Sequence, residues 1–312
     1  MTKLLTTPDG SPASRLAFGT MQFGGRADKD ASRAMFEASI SAGINHFDTA
    51  YMYNGGASEE ILGSLIGDRR DSLLIATKAA YSGGGSRQNI LDSFDVSRRR
   101  LGLDTIDLLY MHRFDPDTDL AESIGALTDL QAAGKIRYIG VSNFAAWQVV
   151  KANAIAAGLG SAVDVLQPMY NLVKRQAEVE ILPMCADQSI ACIPYSPLGG
   201  GLLTGKYAAG SGGRLTEDQG YARRYGPKWM HDAAVSLGEI AAETGTHVAT
   251  LAVAWAAAHP TGPTPIISAR SAEQLEPSLA ALEFNMDEAL YARLAALTPT
   301  PPPATDRLEE QS

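Results

Sequence analysis

The chain has 312 residues, of which 45% are hydrophobic and 20% are charged, and its formal net charge at pH 7 is −9. This composition is typical of a folded globular protein with a large core, and the negative charge argues against nucleic acid or an anionic membrane as the main partner. Its two cysteines, Cys185 and Cys192, favour a reducing compartment over a disulfide framework. No segment is typical of a signal peptide or a membrane span, so a cytoplasmic location is expected.

Short apolar runs alternate along the chain with longer amphipathic stretches, which predict strands and helices respectively. The predicted strands are Arg15–Gly19, Asn45–Thr49, Leu73–Lys78, Ile106–His112, Ile136–Ser142, Val163–Pro168, Ala191–Tyr195 and Pro265–Ser268. The predicted helices are Lys29–Ala42, Ser58–Ile66, Gln88–Leu101, Leu120–Ala133, Ala145–Ala157, Glu178–Gln188, Lys228–Glu243, Val248–Ala258, Ala272–Leu282 and Asp287–Leu297. This alternation indicates a parallel sheet covered by helices. It predicts an α/β fold, a (β/α)8 TIM barrel with a short N-terminal extension and extra C-terminal helices.

No Pro/Ser-rich linker divides the chain, so a single barrel domain is expected over residues 1–312. The proline-rich segment 298–312 is predicted to be an extended or disordered tail. Segment 208–227 is rich in glycine and arginine and predicts a long loop of the kind that closes over a ligand. Its arginines, Arg214, Arg223 and Arg224, are either solvated charges or contacts for cofactor phosphate or an anionic substrate.

Polar side chains stand where the predicted strands end, which is the face of a barrel that carries its chemistry. The second strand ends at Asp48, with Tyr53 just beyond it, and the third and fourth end at Lys78 and His112. The fifth and sixth end at Ser142-Asn143 and near Gln167. The sequence therefore predicts one polar cluster at the rim of the barrel.

The first four of these side chains can together deliver a proton to an oxyanion. A tyrosine has an ordinary pKa near ~10, and an adjacent ammonium such as that of Lys78 is expected to lower the pKa of Tyr53. Asp48 can pair with Lys78, so that the ammonium is not buried alone. A neutral His112 can donate a hydrogen bond to a carbonyl oxygen. Such a site protonates an alkoxide while another group delivers hydride.

Hydride must come from a cofactor, because no side chain supplies it. After the seventh strand, Tyr195 can stack on a nicotinamide ring, and the glycines of Gly199–Gly201 allow backbone N–H groups to approach a pyrophosphate. After the eighth strand, Arg270 beside a helix N-terminus suits the 2′-phosphate of NADP. The histidines show no metal-ligand spacing, so no metal is predicted.

Seven short motifs in fixed order resemble the aldo-keto reductase superfamily, and the likeness covers nearly the whole chain. They are Gly19-Thr20-Met21, Asp48-Thr49-Ala50-Tyr51-Met52-Tyr53, Thr77-Lys78, Met111-His112-Arg113-Phe114-Asp115-Pro116, Gly140-Val141-Ser142-Asn143-Phe144, Gln167-Pro168-Met169-Tyr170-Asn171-Leu172 and Tyr195-Ser196-Pro197-Leu198. The motifs that contain His112 and Tyr195 are closer to bacterial and potassium-channel-β-like members than to mammalian aldose reductases.

The resemblance implies roles for individual residues. Tyr53, rather than Tyr51, is implied as the proton donor, assisted by Lys78 and Asp48, with His112 orienting the carbonyl. The residues assigned to the cofactor, NADPH, are Gly19, Thr20, Met21, Asp48, Ser142, Asn143, Gln167, Tyr195, Ser196, Pro197, Leu198, Gly200, Lys206, Ser268, Arg270, Gln274 and Ser278. The residues assigned to the substrate pocket are Met21, Tyr51, Tyr81, Arg113 and Trp147.

The chain departs from the family where the adenosine end of the cofactor binds. Ile267-Ser268 stand where the family often has Pro-Gly, and Pro277-Ser278 stand where it often has Glu-Asn. Arg270 favours NADPH because a guanidinium fits a phosphate, and NADH stays an alternative.

The implied function is reduction of an aldehyde, ketone or open-chain sugar, with a small carbonyl compound as partner and a monomer or small homo-oligomer as the assembly. A second hypothesis is a redox-sensing regulatory subunit that keeps the same cofactor site, as channel β-subunits do. A third is a lyase that uses Lys78 to form a Schiff base, because barrels also host aldolases.

Overall fold

The computed structural model describes residues 3–207, 210 and 212–310. Its strands are β1 (Ala17–Gly19), β2 (His46–Asp48), β3 (Leu74–Ala79), β4 (Ile106–Met111), β5 (Ile136–Ser142), β6 (Val165–Gln167), β7 (Ala191–Cys192) and β8 (Ile266–Ile267). They form one parallel sheet in the order β7-β6-β5-β4-β3-β2-β1-β8. Beyond β7, Tyr195 pairs with Ile266, whose amide donates to the carbonyl of Pro194 at 2.8 Å. This contact joins the two edges of the sheet, so the α/β fold is consistent with a (β/α)8 barrel.

Helices connect the strands and continue beyond the last one. They are α1 (Lys29–Ser41), α2 (Ala57–Ile66), α3 (Arg87–Leu101), α4 (Leu120–Ala132), α5 (Ala146–Gly158), α6 (Ile181–Asp187), α7 (Arg214–Glu217), α8 (Gln219–Arg224), α9 (Lys228–Thr244), α10 (Val248–Ala257), α11 (Ala272–Leu279) and α12 (Glu288–Ala295). Side chains that accept backbone N–H groups begin α1, α3 and α4, at Asp28, Ser86 and Asp119. Within the described ranges, no helix has both the length and the apolar character needed to cross a membrane.

The last two strands are shorter than the sequence predicts. Strands were expected over Ala191–Tyr195 and Pro265–Ser268, whereas β7 and β8 span two residues each. Pro194 follows β7 and Pro265 precedes β8, and neither has a backbone N–H to donate to a neighbouring strand. The regular hydrogen-bonding pattern of the sheet is therefore short at both strands.

The segment predicted as a long loop over 208–227 is partly helical, which corrects that expectation. Two short helices, α7 and α8, are separated by Asp218, whose side chain accepts from the amides of Gly220 and Tyr221 at the start of α8. Residues 208, 209 and 211 of the segment lie outside the described residues. In the described part of the tail, a 3-10 turn spans Leu308–Glu310.

The sheet separates two apolar layers because successive strand residues point to opposite faces. Leu74 and Ala76 of β3 and Leu108 of β4 pack inside the barrel, whereas Ile75 and Leu109 face the helices. The N-terminal segment closes one end, where Leu5 joins the inner layer and the amide of Thr6 donates to the Tyr138 hydroxyl at 3.1 Å. The inward-facing positions at the other end carry polar residues.

A glycine makes room for a ring beneath those polar residues. The Tyr110 side chain is fully buried inside the barrel, and a Cβ at position 140 on the neighbouring strand would overlap its ring. Gly140 therefore allows Tyr110 to fill the interior, and the ammonium of Lys78 lies 5.6 Å from the centre of the Tyr110 ring. The aromatic ring thus supports the polar cluster from below.

Candidate active site

A buried ion pair forms the centre of the polar end of the barrel. Lys78 on β3 and Asp48 at the end of β2 point inward, and their side chains are 0% and 3% exposed. The Lys78 ammonium pairs with the Asp48 carboxylate and donates to the Thr49 carbonyl at 2.8 Å. The Gln167 amide donates to the second Asp48 oxygen at 2.8 Å. Each charge is thus compensated by a partner and by further hydrogen bonds, as burial requires.

Tyr53 lies directly against this pair. It begins a 3-10 turn, Tyr53–Gly56, in which Asn54 and Gly55 adopt left-handed backbone conformations with φ of 50° and 65°. The Lys78 Nζ lies 3.5 Å from the Tyr53 hydroxyl oxygen and 5.1 Å from the centre of its ring. The phenol and the ammonium that the sequence placed at two different strand ends are therefore neighbours.

The acid–base properties of this pair differ in one respect from the expectation. Burial raises the pKa of Tyr53 above its ordinary value, and the attraction of Lys78 lowers it by less. Lys78 thus acts in the expected direction, but the pKa rises overall because losing water disfavours the phenolate more than the ammonium favours it. Burial also lowers the pKa of Lys78, but Asp48 and Tyr53 outweigh that effect and raise it. Both groups keep their protons at neutral pH.

His112 follows β4 and is neutral. Burial, and then the positive charges of Lys78 and Arg113, lower its pKa to about 3. Its ring centre lies 6.0 Å from that of Tyr53 and 4.9 Å from that of Tyr81. Its Nδ1 is buried and has no hydrogen-bond partner within the described part of the chain. A neutral imidazole can donate a hydrogen bond to an oxygen placed beside Tyr53.

Amide and hydroxyl groups continue the site beyond His112. Asn143, in a left-handed conformation with φ of 58°, donates to the His112 carbonyl at 3.0 Å and to the Ser142 hydroxyl at 3.1 Å. The Tyr195 hydroxyl donates to the Asn143 side-chain oxygen at 2.7 Å, and the Ser142 hydroxyl donates to the Gln167 carbonyl at 2.9 Å. Four of the residues that the resemblance assigned to the cofactor, including the Tyr195 expected to stack on a nicotinamide ring, therefore lie together.

The first rim loop packs against the Tyr53 turn. The Thr20 amide donates to the Asp48 carbonyl at 2.8 Å, and the Met21 carbonyl accepts from the Asn54 side chain at 2.9 Å. The Met21 residue is 42% exposed. At Gly19, a Cβ would lie 2.8 Å from the Ile266 side chain, so the glycine allows β1 to approach β8 closely.

The loop after β7 has an unusual backbone. Ser196 and Gly199–Gly201 adopt left-handed conformations, and the intervening Pro197 and Leu198 lead into this turn. The ring of Tyr221 on α8 covers Gly200, where a Cβ would lie 2.7 Å from it. The Lys206 ammonium lies 4.8 Å from the Tyr207 ring centre.

Beyond β8, two buried hydroxyls have no hydrogen-bond partner among the described residues, those of Ser268 and Ser278. The Arg270 amide donates to the Gln274 side-chain oxygen at 3.4 Å near the start of α11. Unpartnered buried hydroxyls fit a ligand that accepts hydrogen bonds, such as a phosphate.

The predicted substrate residues occupy different surroundings. The Arg113 guanidinium lies 5.0 Å from the Tyr81 ring centre, next to His112. Trp147 on α5 is 62% exposed, and the centre of its ring lies 6.0 Å from that of Phe114. The Tyr51 ring lies 4.9 Å from the Arg100 guanidinium on α3. Substrate contacts for these residues stay predictions.

Several polar residues near the site gave no recognisable signal in the sequence. Glu59 is an acidic residue in the first turn of a helix, and Arg100 is one of three consecutive arginines at a helix end, so both patterns are typical of solvated positions. The arginines Arg214 and Arg224 both lie about the ring of Tyr221, at 5.2 Å and 5.1 Å from its centre. Among the residues that the structure describes, no cluster of histidine, cysteine and acidic side chains could hold a metal ion.

Comparison with known proteins identifies the family. Residues 15–299 match the aldo/keto reductase family. The chain is 33% identical to an uncharacterized oxidoreductase, YrpG, of Bacillus subtilis (strain 168), over 94% of both chains. It is 32% identical to a probable voltage-gated potassium channel subunit beta of Oryza sativa subsp. japonica over 88% of this chain and 89% of that one. It is also 32% identical to L-glyceraldehyde 3-phosphate reductase of Escherichia coli (strain K12), over 81% and 79%. The protein is an oxidoreductase that belongs to the aldo/keto reductase family.

Proposed function

We propose that the protein reduces an aldehyde, a ketone or an open-chain sugar to the alcohol with NADPH, and that Tyr53 is the general acid. The observation that carries this proposal is the contact between the Tyr53 hydroxyl and the buried Lys78–Asp48 pair, 3.5 Å from the Lys78 Nζ. An uncharged His112 lies beside the phenol. This combination suits proton donation to a carbonyl oxygen that is gaining negative charge.

Each of the four side chains has one task in the proposed reaction. Tyr53 gives its hydroxyl proton to the substrate oxygen, and the Lys78 ammonium stabilises the phenolate that is left. Asp48 balances the charge of Lys78 before and after the transfer. His112 donates a hydrogen bond to the substrate oxygen and so orients the carbonyl.

A nicotinamide cofactor supplies the hydride when it is bound. Ser142, Asn143 and Gln167 would hold its carboxamide, and Tyr195 would stack on its ring. Arg270 and the unpartnered hydroxyl of Ser268 would hold the 2′-phosphate, which is the reason to propose NADPH over NADH. The left-handed conformation of Gly200 would let its backbone N–H approach a pyrophosphate.

The two other hypotheses receive unequal support. A Schiff-base lyase needs an uncharged Lys78, whereas the Asp48 pair raises the pKa of this amine, which argues against that chemistry. A regulatory subunit that senses the cofactor is supported by the relative named as a probable channel subunit beta. Slow turnover together with tightly retained NADPH would favour the sensor.

The decisive experiment is a panel of aldehydes, ketones and open-chain sugars assayed for NADPH oxidation, with Tyr53→Phe as the matched variant. Removing a general acid lowers kcat by at least ~100-fold. NADPH binding to Tyr53→Phe should stay within about twofold of the unmodified protein, because the hydroxyl acts on the substrate oxygen. Near-normal turnover in this variant would refute the assigned mechanism.

A further inference from the structure

The loop that carries Tyr53 is fastened from outside the barrel by an arginine on α3. One nitrogen of the Arg100 guanidinium, Nη1, donates to the Tyr51 carbonyl at 2.9 Å. The other, Nη2, donates to the Gly55 carbonyl at 3.4 Å. These two carbonyls lie two residues before and two residues after Tyr53. The guanidinium therefore spans the turn whose side chain reaches Lys78.

A buried carboxylate holds this arginine in place. Glu59 on α2 is 0% exposed and accepts from Arg100 Nη1 at 3.1 Å with one oxygen. Its other oxygen accepts from the Thr77 hydroxyl at 2.6 Å. Thr77 precedes Lys78 on β3 and faces the helices. The hydrogen bonds thus run from Thr77, beside Lys78, through Glu59 and Arg100 to the loop that carries Tyr53.

The loop needs such a tether because its backbone is not regular. Asn54, Gly55 and Gly56 follow one another in left-handed conformations, with φ of 50°, 65° and 103°. A non-glycine residue in this region costs free energy unless the surroundings hold it. The Asn54 side chain ties the outer side of the turn to the carbonyls of Met21 and Phe23, at 2.9 Å and 2.8 Å. Arg100 ties the side that faces α3.

We propose that Arg100 and Glu59 are positioning residues that fix the Tyr53 hydroxyl against Lys78 without touching substrate or cofactor. This inference rests on the proposed function of Tyr53 as general acid. The planar fork of a guanidinium reaches two carbonyl oxygens at once, which a single ammonium does not reproduce. Misplacement of a reacting group by about 1 Å can cost on the order of 100-fold in rate.

The test is a double-mutant cycle on the single-turnover rate of NADPH oxidation, with the best carbonyl substrate of the panel. Arg100→Lys keeps the positive charge opposite Glu59, and we expect it to lower the rate by about tenfold. Arg100→Met leaves the buried Glu59 unpaired, so it lowers the rate further and also lowers stability. The Kd of NADPH, measured by fluorescence titration, should stay within about twofold in Arg100→Lys.

The second arm separates positioning from folding. In the Tyr53→Phe background, Arg100→Lys should change the remaining rate by less than about twofold, because its effect passes through the Tyr53 hydroxyl. A structural role would instead lower the rate by the same factor in both backgrounds, and that result would overturn the proposal. Arg99→Lys is the matched control, since Arg99 is adjacent on α3 and its exposed guanidinium pairs with Asp95.

The outcomes also distinguish this proposal from the one on which it rests. If Tyr53→Phe retains normal turnover, the general acid is wrong and both proposals fall. If Tyr53→Phe is impaired and Arg100→Lys has the rate of Arg99→Lys, only the positioning role is wrong.

Discussion

The ammonium of Lys78 lies 3.5 Å from the hydroxyl oxygen of Tyr53 and pairs at the same time with the carboxylate of Asp48. A buried lysine without a carboxylate partner would lose its proton, and a buried aspartate without an ammonium would be an uncompensated charge. The three side chains therefore form one unit, and replacing one of the two charged members alone should lower the stability of the protein.

The first prediction concerns the stability of this unit. Asp48→Asn and Lys78→Met should each lower the free energy of unfolding by about 3–5 kcal/mol, because each leaves one buried ionisable group without the partner that compensates its charge. The double variant Asp48→Asn/Lys78→Met should be more stable than either single variant, although it lacks activity. Denaturant unfolding of the four proteins at pH 7 measures this. A double variant with the summed loss of both single variants would contradict the coupling.

The second prediction is that His112 does not titrate near neutral pH. Its pKa of about 3 keeps the ring neutral throughout the range from pH 5 to 8. In histidine-labelled protein, the imidazole signals of His112 and of the buried His46 should therefore not shift between pH 5 and 8, and His112→Asn should remove one of the two. If that signal moved with a midpoint near ~6.5, His112 would be an ordinary solvated histidine. The proposal that a neutral imidazole donates to the substrate oxygen would then be wrong.

The third prediction links His46 to acid stability. His46 is fully buried below the ion pair, neither ring nitrogen has a hydrogen-bond partner in the described structure, and burial, followed by Lys78, lowers its pKa to about 3. The unfolded chain binds a proton here below pH ~6.5 and the folded chain does not, so stability is full above that pH and falls as the pH decreases towards 3.

Because only the unfolded chain binds a proton at His46, the free energy of unfolding should fall by about 2 kcal/mol between pH 7 and pH 5 from this residue alone. In His46→Leu, the free energy of unfolding should fall by about 2 kcal/mol less between pH 7 and pH 5 than in the unmodified protein. Urea titrations at pH 5, 6 and 7 provide the comparison. Equal slopes in the two proteins would show that His46 takes up its proton in the folded protein at the same pH as in the unfolded chain.

The fourth prediction concerns the choice of cofactor. If Arg270 binds the 2′-phosphate, Arg270→Ala should weaken NADPH binding by about 10- to 100-fold, the value of one charge-assisted hydrogen bond. NADH binding should change by less than about twofold, because NADH lacks that phosphate. Arg293→Ala is the control, since Arg293 on α12 pairs with Glu243 at the surface. Parallel losses for both cofactors would place Arg270 elsewhere in the site.

Much of the fold follows from local sequence. The strand β5 has the predicted bounds, Ile136–Ser142, and β4 differs from its prediction by one residue, because long apolar runs with turn residues at their ends leave little choice. The segment 208–227 was harder to predict, since α7 and α8 are four and six residues long. Helices of that length are stabilised by tertiary contacts and caps more than by intrinsic propensity.

The sequence by itself determined which polar residues end the inner strands, because the alternation of strands and helices sends every strand end to the same rim. Asp48, Lys78 and His112 could therefore be named together from their positions, whereas the choice of Tyr53 over Tyr51 followed from the family resemblance. The net direction of the Tyr53 pKa required the tertiary structure, since it depends on how completely water is excluded from the phenol. The link from Arg100 through Glu59 to Thr77 also required it, because residues separated by 41 and 18 positions become neighbours only when α2 and α3 pack against the sheet.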